Sequence, residues 1–168
     1  STDGAADTSA STSSLKIDEA YLLQTLIKLV QIDSVNPSLV PGGAGEAEIA
    51  SYTATVMRDL GLTVNIHESE PGRPSVVGIR PGTGTGRSLM LNAHMDTVGV
   101  DGMIVDPFGG EQRNGRVYGR GAQDMKASLA AAFATVKALN EADIQLKGDL
   151  IIAAVADEEF ASIGTADI

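Results

Sequence analysis

The segment Leu89-Met90-Leu91-Asn92-Ala93-His94-Met95-Asp96 joins an apolar run to a histidine and, two positions on, to a carboxylate. A run of this kind forms a buried strand, and a strand ending in His94 delivers an imidazole to a cleft at its end. In extended backbone, positions i and i+2 share a face, so His94 and Asp96 are expected to point the same way. A carboxylate beside an imidazole fixes its tautomer and raises its basicity as a ligand. Taken alone, the pair is equally well explained as a solvated polar strand end. Asp124 lies between the turn Tyr118-Gly119-Arg120-Gly121 and an apolar-periodic helix. Helix capping accounts for it, yet a carboxylate has two oxygens and can also bridge two cations. Asp157-Glu158-Glu159 follows a second apolar strand. The carboxyl ends of strands in open α/β sheets are where ligand crevices form. An exposed acidic turn is the simpler account of these three acids, and a bound cation is the one that offsets their repulsion. One Glu would then bind metal while its neighbour takes a proton from water. One histidine and several carboxylates point to zinc or a similar divalent ion.

Helices and strands must bring these residues together. Leu22, Leu23, Leu26, Ile27 and Val30 recur at helical spacing, which predicts a helix from Asp18, its N-cap, to about Val30. After Asn36-Pro37 and the loop Pro41-Gly42-Gly43, a second helix is expected from about Glu46 to Leu60, closed by Gly61. Strands are expected at Leu62 to His67, Ser75 to Arg80, Ser88 to His94, around Arg116-Val117-Tyr118, and at Leu150 to Ala156. The last is an unbroken apolar run, as in central strands covered on both faces. A third helix is expected from about Asp124 to Asn140. This order gives an α/β fold with a mixed, partly parallel sheet and helices packed on it. Gly82-Thr83-Gly84-Thr85-Gly86 lacks the Lys-Ser/Thr of a phosphate loop and reads as a hairpin turn. His67, beside Glu68 and Glu70, reads as a surface residue at a strand end.

The 168 residues suffice for one domain with a core, and 43% of them are hydrophobic. The Ser/Thr/Ala/Asp-rich start is expected to be a flexible tail over residues 1–15, followed by a domain over 16–168. A net charge of -10 with no basic run argues against nucleic acid or an anionic membrane as partner. With no cysteine, a metal site must be built from His, Asp and Glu. No Gly-x-Ser-x-Gly elbow is present, which disfavours a serine hydrolase. Cytoplasm is the expected location, given the absence of a signal-peptide pattern.

Several segments occur together and in order: Ser34-Val35-Asn36-Pro37-Ser38, His94-Met95-Asp96-Thr97-Val98, Asp106-Pro107-Phe108, Gly119-Arg120-Gly121 through Asp124-Met125-Lys126, and Asp157-Glu158-Glu159 through Gly164-Thr165. As a set they closely resemble the zinc metallopeptidase and amidohydrolase family that includes acetylornithine deacetylase, succinyl-diaminopimelate desuccinylase, aminoacylase and glutamate carboxypeptidase. The resemblance covers roughly Asp18 to Thr165. It departs from the pattern at Ala127-Ser128 and Ala161, where glycines are common.

The resemblance implies a zinc exopeptidase-like fold and a pair of zinc ions, with cobalt or manganese as alternatives. It implies that Asp124 bridges the ions, His94 binds one and Glu159 the other, with Glu158 as general base and Asp96 orienting the histidine. The Asp124-Met125 peptide is expected to be cis. The implied reaction is hydrolysis of the amide bond of an N-acyl amino acid or small peptide by metal-activated water. Family members are more than twice as long and supply further ligands. The chain therefore reads as the N-terminal part of a catalytic domain, inactive alone. The alternative is a non-catalytic fragment or subunit that needs a partner chain to complete the site. The expected partners are the small substrate and either a second copy of the complete protein or a complementing C-terminal chain.

Overall fold

The computed structural model describes residues 15–168, so nearly all of the expected N-terminal tail lies outside the described residues. Helix α1 (Glu19–Gln31) begins where the Asp18 carboxylate accepts the Tyr21 amide at 3.0 Å, the N-cap expected of it. Helix α2 (Ala47–Asp59) ends at Gly61, whose φ of 81° places it in the left-handed region that closes helices. Strands β1 (Thr63–Glu68) and β2 (Pro74–Arg80) form an antiparallel pair. Strand β3 (Leu89–His94) follows, then the short strands β4 (Glu111–Arg113) and β5 (Arg116–Tyr118), which pair only with each other. Helix α3 (Ala127–Glu141), strand β6 (Leu150–Val155) and the single turn α4 (Ile163–Ala166) complete the order.

The main sheet has the order β1-β2-β6-β3, antiparallel at β1-β2 and β2-β6 and parallel at β6-β3. This is the mixed α/β architecture the sequence predicts, and β6 is central in it. The core consists of Leu29 and Val30 of α1, Ile49 and Met57 of α2, and Leu129, Phe133 and Val136 of α3, packed against Val76, Leu150, Ile152 and Ala154 of the sheet. Gly78 lets α2 approach β2, since a Cβ there would stand 2.7 Å from the Met57 sulfur and 2.8 Å from a Leu62 methyl.

The Leu89–His94 run is not a buried strand: β3 lies at the edge of this sheet, with Leu89 and Met90 exposed and only Ala93 and His94 buried. Two further sequence expectations are corrected. The Gly82–Gly86 segment is not a hairpin turn, because β2 and β3 are not neighbours; β6 lies between them. The loop instead bonds to the entry of β6, with the Thr83 amide on Leu146 O at 2.9 Å and the Thr85 and Gly86 amides on Lys147 O at 3.0 Å each. Second, α3 starts at Ala127, not at Asp124, whose φ/ψ of -115°/98° is non-helical. Strand β4, all of it exposed, was not legible as a strand.

Candidate metal centre

Parallel pairing aligns the carboxyl ends of β3 and β6, with His94 opposite Val155. The chain leaving β6 therefore carries Asp157, Glu158 and Glu159 past the histidine. Asp124 comes from the turn between β5 and α3. Its side chain makes no capping bond; it faces the imidazole, with Oδ1 3.2 Å from His94 Nε2. The capping account of Asp124 therefore does not hold. The Asp124-Met125 peptide is cis, as the resemblance implies. His94, Asp124 and Glu159 each offer a ligand atom, all within 4.8 Å of one another. Glu158 Oε2 is 3.6 Å from the same Nε2. His94 is buried, Glu159 half-buried and Asp124 exposed toward a cleft of about 550 Å³ lined also by Val98, Arg120 and Gln123. His67 lies on β1, separated from β3 by two strands, and is outside this cluster.

The other imidazole nitrogen is fixed from within. Nδ1 is 2.9 Å from the Asp96 main-chain carbonyl and 3.6 Å from the Asp96 carboxylate, so the carbonyl is the closer acceptor. With Nδ1 carrying the proton, Nε2 presents its lone pair to the cleft, the tautomer a metal ligand requires. The Asp96 carboxylate has further partners, which sequence reasoning missed. Oδ1 accepts the Glu158 amide at 3.0 Å, and Oδ2 accepts the Glu159 amide at 3.1 Å and Asn36 Nδ2 at 2.7 Å. Asp96 thus holds the histidine and the backbone of both glutamates together. Asn36 also donates to Asp157 Oδ1 at 3.0 Å. Its segment is laid alongside the end of β3 by a parallel bridge between Val35 and Thr97. The Ser34-to-Ser38 stretch was legible as a motif, but not this role.

The charges agree with a cation-binding environment. Burial pushes the His94 pKa down, but Asp96 and Asp124 outweigh it and raise it to about 9. Burial also pushes the Asp96 carboxyl up, while His94, Asn36 and the two glutamate amides hold it below its ordinary value. Glu159 is raised by burial and by the neighbouring Asp124, Asp96 and Glu158, against the pull of His94. Without another cation, a proton on the imidazole balances carboxylates that repel one another. One imidazole and two carboxylates, with a supporting set that orients them, are donors suited to zinc or a similar divalent ion.

Fold and site together define an α/β protein that gathers imidazole and carboxylate donors at the carboxyl ends of adjacent parallel strands. Residues 90–168 match the family model for peptidase family M20/M25/M40. Residues 90–168 are thus similar to that family, the class the sequence resemblance indicated. It is 36% identical over 147 residues to N-formyl-4-amino-5-aminomethyl-2-methylpyrimidine deformylase of Halalkalibacterium halodurans, covering 84% of this chain and 34% of that protein. It is 34% identical over 141 residues to acetylornithine deacetylase of Vibrio campbellii, covering 83% and 35%. The crystal structure of an M20 family metallo-carboxypeptidase from Sulfolobus solfataricus superposes with a TM-score of 0.69 at 26% identity, covering 82% of this chain and 31% of that one. The chain spans about a third of the length of the relatives it matches. No helix among the described residues is long and apolar enough to cross a membrane.

Proposed function

We propose that this chain forms the N-terminal part of the catalytic domain of a metal-dependent hydrolase that cleaves the amide bond of an N-acyl amino acid or small peptide. The observation that carries this reading is the convergence of His94, Asp124 and Glu159 from three separate elements, with Glu158 beside the same imidazole nitrogen. In this reading His94 would hold one of two zinc ions, or cobalt or manganese, Glu159 would hold the other, and Asp124 would serve both. Bound divalent ions would polarise the scissile carbonyl and lower the pKa of water from about 15.7 toward about 7. Glu158, whose side chain is 49% exposed, has the freedom to accept a proton from the attacking water and hand it to the leaving nitrogen. Asp96 keeps Nδ1 engaged, so that Nε2 stays free of a proton when a cation is bound. The relatives named above, a deformylase, a deacetylase and a metallo-carboxypeptidase, favour a small acylated amine or peptide as substrate.

Calorimetric zinc titration of the chain and of His94→Ala and Glu159→Ala variants tests the site. Saturable binding that both variants lose is expected; binding indifferent to both overturns the reading. Hydrolysis of N-acetyl amino acids by the complete protein tests the reaction.

A second reading is favoured by the three-donor cluster and by the one-third span: the 168 residues alone bind metal weakly, do not turn over, and need further polypeptide to complete the site. Tight two-ion binding with hydrolysis by the isolated chain would contradict it.

A further inference from the structure

Asp157 immediately precedes the Glu158-Glu159 pair, is 2% exposed, and has a φ of 63°. Aspartate tolerates that left-handed conformation better than most residues with a side chain, and here its surroundings also hold it. Hydrogen bonds reach it from several sides. Asp157 Oδ1 accepts from Arg73 Nη2 at 2.9 Å and from Asn36 Nδ2 at 3.0 Å, and Oδ2 accepts the Ala161 amide at 3.2 Å. The Asp157 amide donates to Glu46 Oε1 at 3.1 Å.

Arg73 joins these groups. Its Nε donates to Glu46 Oε2, and its Nη2 donates to Glu46 Oε1 at 2.8 Å and also to Asp157. Glu46 is fully buried and Arg73 is 7% exposed. Arg73 stands just before β2, and Glu46 just before α2. Pairing with Glu46 raises the Arg73 pKa against the opposing effect of burial, so the guanidinium stays charged. From Asp157 the contacts continue through Asn36 to Asp96, which accepts the amides of both glutamates. Three charged groups withdrawn from water are costly, and such clusters can often be replaced by apolar packing without loss of stability. This one runs directly to the backbone that presents the donor set.

We propose that Arg73 is a positioning residue: by clamping Glu46 and Asp157 it sets the Glu158-Glu159 turn, and thereby aims the carboxylates that face His94 and Asp124. It touches neither the cleft nor a ligand atom. This rests on the metal-site reading given above. Only an arginine has the fork to bond Glu46 twice and Asp157 at once; a lysine ammonium is a single point charge on a flexible stem.

The test uses the full chain with Co²⁺ as probe, because its visible absorption reports the ligand geometry. Arg73→Met, Arg73→Lys and Glu46→Gln are compared with wild type and His94→Ala, each checked for cooperative melting by circular dichroism. Expected are a 10–100-fold loss of Co²⁺ affinity and an altered absorption band in Arg73→Met, as for other residues that orient metal ligands. A smaller change is expected in Arg73→Lys. A folded Arg73→Met that binds within twofold of wild type, with an unchanged band, overturns the proposal. If Arg73→Met does not fold, Arg73→Lys and Glu46→Gln decide in the same way. Loss of cooperative melting in all three makes the triad a requirement of folding alone and also overturns it. If wild type binds no Co²⁺, or His94→Ala binds as wild type does, the metal-site reading itself fails and the role of Arg73 goes with it.

Discussion

Asp96 makes contacts that a carboxylate satisfies and an amide cannot. Its two oxygens accept from the Glu158 and Glu159 amides and from Asn36, with no donor of its own needed. Asp96→Asn replaces one acceptor with an NH₂ group that must face another donor, leaving at least one buried hydrogen bond unmade. The expected cost is about 1–3 kcal/mol, read as a lower melting temperature, and metal affinity should fall about 10–100-fold because both glutamates lose their anchor. An unchanged melting temperature would show that the amide contacts carry no net stability. Glu158 should behave differently. Its side chain is half-exposed and acts on the proposed reaction without holding up the fold. Glu158→Gln in the complete protein should therefore lower kcat by about 10²–10⁴-fold while zinc affinity stays within a few-fold. Normal turnover in that variant would remove Glu158 as the base. In the proposed reaction the division of labour between adjacent glutamates is a residue-scale effect: Glu159 would join the ligand atoms, and Glu158 would be left free to move a proton.

At the scale of elements, the site depends on how helices are tied to strand ends. Lys126, 1% exposed at the start of α3, donates from Nζ to Ile32 O at 2.8 Å. Ile32 is the C-cap of α1, so a cation meets the negative end of that helix and joins it to the turn bearing Asp124. Burial lowers the Lys126 pKa to about 8 from 10.5, against the attraction of Asp33. On Lys126 the unfolded chain therefore binds more protons than the folded one between pH 8 and 10.5, a contribution that raises stability with pH; His94, whose folded pKa is about 9, opposes it below pH 9, so the rise is expected above that. In metal-free protein, denaturant melts should show this rise, and Lys126→Met should lack it; identical pH profiles would contradict the assignment. Gly78 ties α2 to β2 in a different way. Gly78→Val would drive a branched side chain into Met57 and Leu62 and should cost about 1–3 kcal/mol or more. Elements of this kind were the most legible part of the sequence. The apolar periodicity of α1 and α2 and the unbroken apolar run of β6 each reflect burial, which composition records directly. Strand β4, Glu111-Gln112-Arg113, buries nothing, so its sequence carries no pattern. The start of α3 was misjudged because an aspartate before an apolar-periodic helix has the pattern of a cap. In the fold the Asp124 carboxylate faces His94 instead, as its second, metal-binding reading requires.

The whole molecule assembles its site from residues far apart in sequence, which explains what could be foreseen. The convergence of His94, Asp124 and Glu159 was legible because metal chemistry would restrict the residue types at each position and because the motifs occur in a set order. The buried supports Glu46, Arg73 and Asn36 were not, since each has a plain local reading: a helix start, a turn, and a residue before proline. Their contacts with Asp157 join positions 111, 84 and 121 residues apart, and pairings at that range leave no trace in a single sequence. The same global assembly would make a bound cation a stabiliser of the entire chain. In the unfolded chain the three donors are scattered, so an ion that prefers the folded arrangement shifts the folding equilibrium by mass action. At free zinc about 100 times its dissociation constant, the added stability should be about 2.7 kcal/mol. For a domain of this size that corresponds to a rise in Tm of about 5–10 °C. Thermal melts with zinc, and again after adding a chelator, should show the rise and its reversal. His94→Ala, which removes the one imidazole in the cluster, should show neither. A wild-type Tm indifferent to zinc would mean that the folded chain has no preference for the ion, however well its donors converge.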